Sequence, residues 1–214
     1  MAKPKKKPRK TDDPQQRETA LEAELKRKAF LFTLLRDISN KIGYEFSYPK
    51  IIKYVLSVLP RALPMDFAGL LIETTERLEF RIRVAQVPAD IVRKRQQAMA
   101  QVLSIYHPNE DIHKKYILAQ IEDNLPPSPF PAPVEAADFQ SIINVPLLHE
   151  GKIMGLLEGA AWPPQVYNAD DLTLLQTIAN QLSNAVQRVK YLLTTEAKKM
   201  EIAVQNMPQG VLLI

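Results

Sequence analysis

The sequence contains no cysteine. That removes disulfides, zinc–thiolate sites, thiol nucleophiles and any cofactor attached through sulfur. Glycine is scarce, with six in 214 residues. None of them builds a GxGxxG or Walker-type loop, so no backbone cradle for nucleotide phosphates is readable. A GxSxG nucleophile elbow is missing as well. No apolar run approaches the ~20 residues that a membrane-crossing helix needs. The N-terminus is charged with no apolar segment behind it, so it does not read as a secretory signal. Enzymatic and membrane-spanning readings of these residues therefore lose ground, and the absence of cysteine leans mildly toward the cytoplasm.

Basic charge is present, but in one place. Residues 1–28 carry ten Lys/Arg against five Asp/Glu, a net of +5; the whole chain is +4, which leaves residues 29–214 at −1. The basicity belongs to a tail. Residues 1–16, MAKPKKKPRKTDDPQQ, have too little apolar surface to build a core and are expected to be a disordered extension. A Lys/Pro run without aromatics is a weak nucleic-acid signal, so nucleic acid is not expected as a partner.

A helical pattern starts at Arg17. Leu21, Leu25, Phe32, Leu35 and Ile42 recur at helical spacing up to a stop at Gly43. A second helix is expected over Pro49–Arg61, with Pro49 in its first turn and Ile51, Ile52, Val55, Leu56 and Leu59 on one face. "FAGLLIE" (67–73) and "LEFRIRVA" (78–85) read as an antiparallel strand pair joined by "TTER". The second alternates Leu78, Phe80, Ile82 and Val84 with Glu79, Arg81 and Arg83. A helix follows over 88–105. "EDIHKKYILAQIED" reads as a helix, or as a helix plus a strand. "PPSPFPAP" (126–133) must be extended.

The stretch "SIINVPLLHEGKIMGLLEGAAW" (141–162) is a β-hairpin turning at Glu150-Gly151, where Gly151 supplies positive φ. Asn168 or Asp170 can cap the next helix. Along it Leu172, Leu175, Ala179, Leu182, Val186, Val189 and Leu193 repeat at alternating steps of three and four, and Met200, Ala203 and Met207 resume the register. Leu174, Ile178 and Ala185 widen the stripe early, so that part packs on a domain. Past Arg188 only the narrow seam remains, which points to a coiled coil with a partner, against the alternative of a helix that packs back on its own domain.

This order of elements resembles the GAF family of sensory domains. "NVPLLHEGKIMGLLEG" looks like the family's strand pair, and "YNADDLTLLQTIANQLSNAV" like its closing helix. "LLRDISNKIGYEFSYPKIIKYVLSVLPRAL" is similar to its first two helices. The resemblance implies an α+β fold with a central antiparallel sheet, helices on both faces and a long C-terminal signalling helix. The final "MEIAVQNMPQGVLLI" resembles the opening of a PAS domain. The expected organisation is a tail (1–16), a helical lead-in (17–29), a GAF domain (30–192), a coiled-coil linker (193–207) and a truncated PAS start (208–214). The chain would then be part of a longer signalling protein, such as a sensor histidine kinase or diguanylate cyclase, acting as a homodimer through its terminal helices. A ligand-free relay module is the other reading.

Candidate residues follow from chemistry. Arg81 and Arg83 share a strand face and can clamp a carboxylate or phosphate, or stand in solvent. With a two-residue turn, Glu158 falls opposite Ile143 on an apolar face, where it lines a pocket or pairs with Arg81 or Arg83; a bulge would shift that register. Tyr106, His107, Tyr116 and Asn144 are placed within reach of a pocket between the sheet and residues 88–140. Leu182, Val186, Val189 and Leu193 are assigned to the dimer and relay helix. Covalent bilin and the cysteine chemistry of GAF-type methionine sulfoxide reductases are excluded by composition. His107 and His113 make a weak pair with no carboxylate cluster, and His149 is expected on the surface, so neither haem nor a metal is expected.

Overall fold

The computed structural model describes residues 14–73, 78–84, 87–108, 117–122, 130 and 138–206. The basic residues 1–13, the "TTER" connection, His113, Tyr116, most of the proline-rich segment and residues 207–214 lie outside the described residues.

Helix α1 runs Pro14–Gly43. It begins three residues before the expected start, inside the segment assigned to the tail; a proline in the first turn loses no helical hydrogen bond. The chain divides into two compact units, Met1–Asp37 and Ile38–Ile214. In the first, Leu21, Leu25 and Phe32 are exposed, and Lys28 pairs with Glu24 at 2.6 Å one turn away.

The second unit holds the sheet. Its elements are α2 (Tyr48–Ala62), β1 (Phe67–Glu73), β2 (Leu78–Val84), α3 (Ala89–Tyr106), β3 (Ile117–Glu122), β4 (Ser141–His149), β5 (Lys152–Ala161) and α4 (Ala169–Gln205). The strand order is β3-β2-β1-β5-β4. Four strands pair antiparallel as expected, and β3 adds to the edge parallel to β2. The parallel pair follows from chain length: α3 lies between the two strands and supplies the long crossover that a parallel connection requires.

Strand pleating assigns each side chain to a face. Phe67, Leu71, Phe80, Ile82, Leu156 and Ala160 point to one face and form a buried cluster with Ile91, Met99 and Leu103 of α3. Leu70, Leu157, Ile143, Val145 and Leu147 point to the other, against which α2 and α4 pack. β1 and β5 are covered on both sides, which is why they read as continuous apolar runs without alternation.

The hairpin turn has positive φ at both Glu150 (48°) and Gly151 (76°). That is the primed geometry matching the twist of the flanking strands. Above it the register slips at Leu147/Leu148, so that Leu148 pairs with Ile153 while Leu147 pairs with Gly155, leaving Met154 as an extra residue. At Gly155 a Cβ would collide with the Leu71 carbonyl oxygen, so the bulge sits beside a position that only glycine can fill. Helix α4 opens with a capping box: Asn168 accepts from the Asp170 and Asp171 amides, and Asp171 accepts from the Asn168 amide. Asn168 is thus the cap, and Asp170 belongs to the first turn.

Candidate functional site

Among the described residues, two carboxylates are buried in the sheet, one on each face. Glu79 is 1% exposed, on the face covered by α2. Its Oε2 accepts from Arg81 Nε and Nη2 at 2.9 and 2.8 Å, and its Oε1 accepts from the Tyr48 hydroxyl at 3.1 Å. Residues two apart on a strand share a face, so this pair forms within one element. The expectation of a solvated face is corrected, because α2 covers it. Arg81 is committed to Glu79 and is not an open clamp; Arg83 lies half-buried on the same face.

Glu158 is fully buried, at 0% exposure, in the α3-side cluster. The bulge at Met154 sets its position. It pairs across with Asn144, not Ile143, and on its other side with Gly69. The expected partners Arg81 and Arg83 point to the opposite face and cannot reach it. The partner is Arg95 of α3, whose Nε and Nη2 donate to Oε1 and Oε2 at 2.8 and 2.6 Å. This two-point geometry is the strong form of a carboxylate–guanidinium bond. Burial pushes the Glu158 carboxyl above its usual range; the Arg95 guanidinium and an Asn144 hydrogen bond pull it back part of the way. Asn144 is itself exposed, so it forms the solvent edge of this site.

At the end of α3, Tyr106 is exposed and His107 is half-buried. His107 Nε2 lies 2.7 Å from the Ile153 carbonyl. A carbonyl only accepts, so the imidazole N–H donates there. His149 is partly exposed beside Glu150. No group of three potential metal ligands occurs among the described residues. Tyr116, the remaining predicted site residue, lies outside them.

The relay residues divide sharply. Leu182, Val186 and Val189 are at most 1% exposed, whereas Leu193 is 59% exposed. The first three are core residues of the single chain, because α4 lies on β4 and α2; they leave no surface for a second helix. Replacing Val186 or Val189 by Asp would therefore strike the fold, not an interface. Three polar residues at the same level tie α4 down. Arg188 Nη2 donates to the Ile42 and Glu45 carbonyls at 2.6 and 3.3 Å, capping the C-terminal end of α1 with a cation. Lys190 Nζ donates to the Glu73 carbonyl at 2.7 Å. Gln187 Nε2 contacts Met154 Sδ, in the bulge, at 3.2 Å.

Sequence reasoning missed Arg95, Tyr48 and Arg188. All three act across the chain, and only the lone buried Glu158 signalled that one cation had to be found. A lesser polar cluster ties down the loop before α4. Ser141 Oγ donates to the Pro163 carbonyl at 2.6 Å and accepts from the Val166 amide at 3.0 Å. Burial, with Asp66, Asp171 and Glu158 nearby, pushes the Tyr167 hydroxyl above the usual phenol range.

One sheet between helical layers defines an α+β domain. The GAF domain family model matches residues 49–187, and the chain belongs to that family, whose members serve as sensory modules in signalling proteins. Three solved structures illustrate the likeness. The GAF domain of a putative sensor histidine kinase from Pseudomonas syringae pv. tomato is 14% identical, over 83% of this chain and 99% of that one, with a TM-score of 0.48. The GAF domain of Acinetobacter phosphoenolpyruvate-protein phosphotransferase is 14% identical over 75% and 94%, at 0.46. Free methionine-R-sulfoxide reductase from Neisseria meningitidis, solved with its substrate, is 16% identical over 77% and 92%, at 0.48. No curated protein matches the chain. No described helix is long and apolar enough to cross a membrane.

Proposed function

We propose that these residues form the regulatory domain of a multidomain signalling protein, in which a small ligand on the α3 face of the sheet biases a downstream output such as a histidine kinase. The observation that carries this reading is Glu158, a fully buried carboxylate held by a cation from a different element, α3. Burying an ion pair costs nearly as much as it returns, so such a pair is better suited to switching than to stability. A ligand bearing a carboxylate or phosphate would draw Arg95 off Glu158 and shift α3. His107 at the end of α3 holds Ile153, and Gln187 of α4 touches Met154, the next residue. Displacement of α3 would therefore reach α4 through the bulge, and a ligand's differential affinity for the two positions would bias the output.

In the same reading, residues 193–207 continue as a coiled-coil linker and the protein is a cytoplasmic homodimer through its N- and C-terminal helices. The exposed Leu193 and Met200, on the apolar seam of α4, support this part. Residues 208–214 would open a PAS domain. A second reading, a ligand-free relay module of a diguanylate cyclase or transcriptional regulator, draws on the same pair: Arg95 and Glu158 close on one another within a packed apolar cluster.

Thermal denaturation against nucleotides, amino acids, haem and bilins separates the two. The sensory reading expects an anionic ligand that raises the midpoint of the wild-type protein but not of Arg95→Met. If no compound moves the midpoint, the ligand-free reading replaces it.

A further inference from the structure

A cavity of about 280 Å³ lies on the other face of the sheet, between α2, the end of β1 and α4. It has room for roughly nine water-sized groups at about 30 Å³ each. Its floor is apolar, with Ile72 and Val186 both buried. Leu193 and Ala197 form the side that opens to solvent.

One cation, Lys190, stands in this lining, with Glu73 beside it and the polar Tyr48 and Thr194 completing the wall. Lys190 Nζ donates to the Glu73 carbonyl, which uses one of the three N–H groups of an ammonium. Burial disfavours the charged form of Lys190, and the Glu73 carboxylate beside it offsets this in part. A half-desolvated ammonium on an apolar wall is stabilised by an anion that supplies the missing acceptors. The size of the cavity limits the occupant. A helix with its side chains is about 10 Å across and does not enter such a space, whereas a short-chain molecule does.

We propose that this cavity binds a small amphipathic carboxylic acid, its chain against Ile72, Val186 and Leu193 and its carboxylate on the Lys190 ammonium. Occupancy fastens residues 190–197 of α4 to the end of β1, at the level where α4 passes from buried to exposed. The cavity shares no residue with the Arg95–Glu158 site, so the proposal stands or falls independently of a ligand on the α3 face; Leu193 serves either this cavity or the coiled-coil seam, and the dimer readout below tells the two apart.

The test is calorimetric titration of the whole chain with sodium octanoate, with 1-octanol as the uncharged control and hydrogen exchange as a second readout. The expected result is saturable binding of one octanoate per chain, with increased protection over 190–197. Lys190→Met should weaken it about tenfold, the size of one charge-assisted hydrogen bond. Ala197→Phe, a change at an exposed helix position that narrows the opening, should abolish it, and Leu193→Trp provides a second blocking variant. Absence of saturable binding, binding that survives both blocking variants, or equal binding of octanol would overturn the proposal. So would failure to bind combined with Ala197→Phe converting a dimer to a monomer, because a second copy would then fill the cavity.

Discussion

Glu79 and Glu158 are both buried carboxylates on a central sheet, and each is gripped at two points by an arginine. They differ in where the arginine comes from. Arg81 stands two residues along the same strand, so no motion of one element against another can separate it from Glu79. Arg95 comes from α3, and any displacement of that helix breaks the pair. The first pair is built into its strand, whereas the second reports the position of a helix.

The largest effect is expected on breaking the second pair alone. Arg95→Met leaves the Glu158 carboxyl buried without its cation, and should cost about 3 kcal/mol at neutral pH by urea denaturation. That loss should depend on pH. Burial already raises the folded-state pKa of Glu158 above its unfolded value, and removing Arg95 raises it further. The stability associated with this group is present below the ordinary glutamate range and is lost as pH rises through the folded value. The gap between Arg95→Met and wild type should therefore narrow toward about pH 5 and widen toward about pH 8. A gap that does not change with pH would mean that Glu158 is not the group responsible.

Arg81→Met should cost less, about 1–2 kcal/mol, because Glu79 retains the Tyr48 hydroxyl and has Arg83 on its face. Tyr48→Phe removes a single hydrogen bond to Glu79 and should cost about 1 kcal/mol by the same measurement. Neither change should alter the response of the protein to a ligand on the α3 face. If Arg81→Met equals or exceeds Arg95→Met, the distinction between the two pairs fails.

The elements themselves were legible because periodicity reports burial. The strict alternation of β2, the apolar runs of β1 and β5, and the two stripes of α4 all reflect which faces are covered. Pro49 and Gly151 fixed their local geometry for plain steric reasons. The site was less legible. The Glu79–Arg81 pair was within reach, since residues two apart on a strand face the same way, but Arg81 was assigned to an outside anion, solvent or Glu158 instead. Glu158 was recognised as anomalous, but its partner lies 63 positions away in the chain, and a bulge at Met154 moved its register by one. Neither fact leaves a mark in local pattern. The interface assignment of Leu182, Val186 and Val189 failed for another reason. A step of three and four describes a helix packing on a sheet as well as one in a coiled coil, so Val186 and Val189 were assigned to an interface although they fill the core.

The central claim is that the α3-side pair reaches α4 through the bulge at Met154, at the level of Gln187, whereas the β2 pair meets α4 only through Tyr48 of α2, at the level of Lys190. Hydrogen exchange along α4 tests it directly, comparing wild type with Arg95→Met/Glu158→Leu and with Glu79→Leu/Arg81→Met, each of which removes a whole pair without leaving a lone charge. The account predicts altered protection around Gln187, over residues 184–188, in the first variant and wild-type protection there in the second. Equal changes in both, or a change confined to the second, would contradict it.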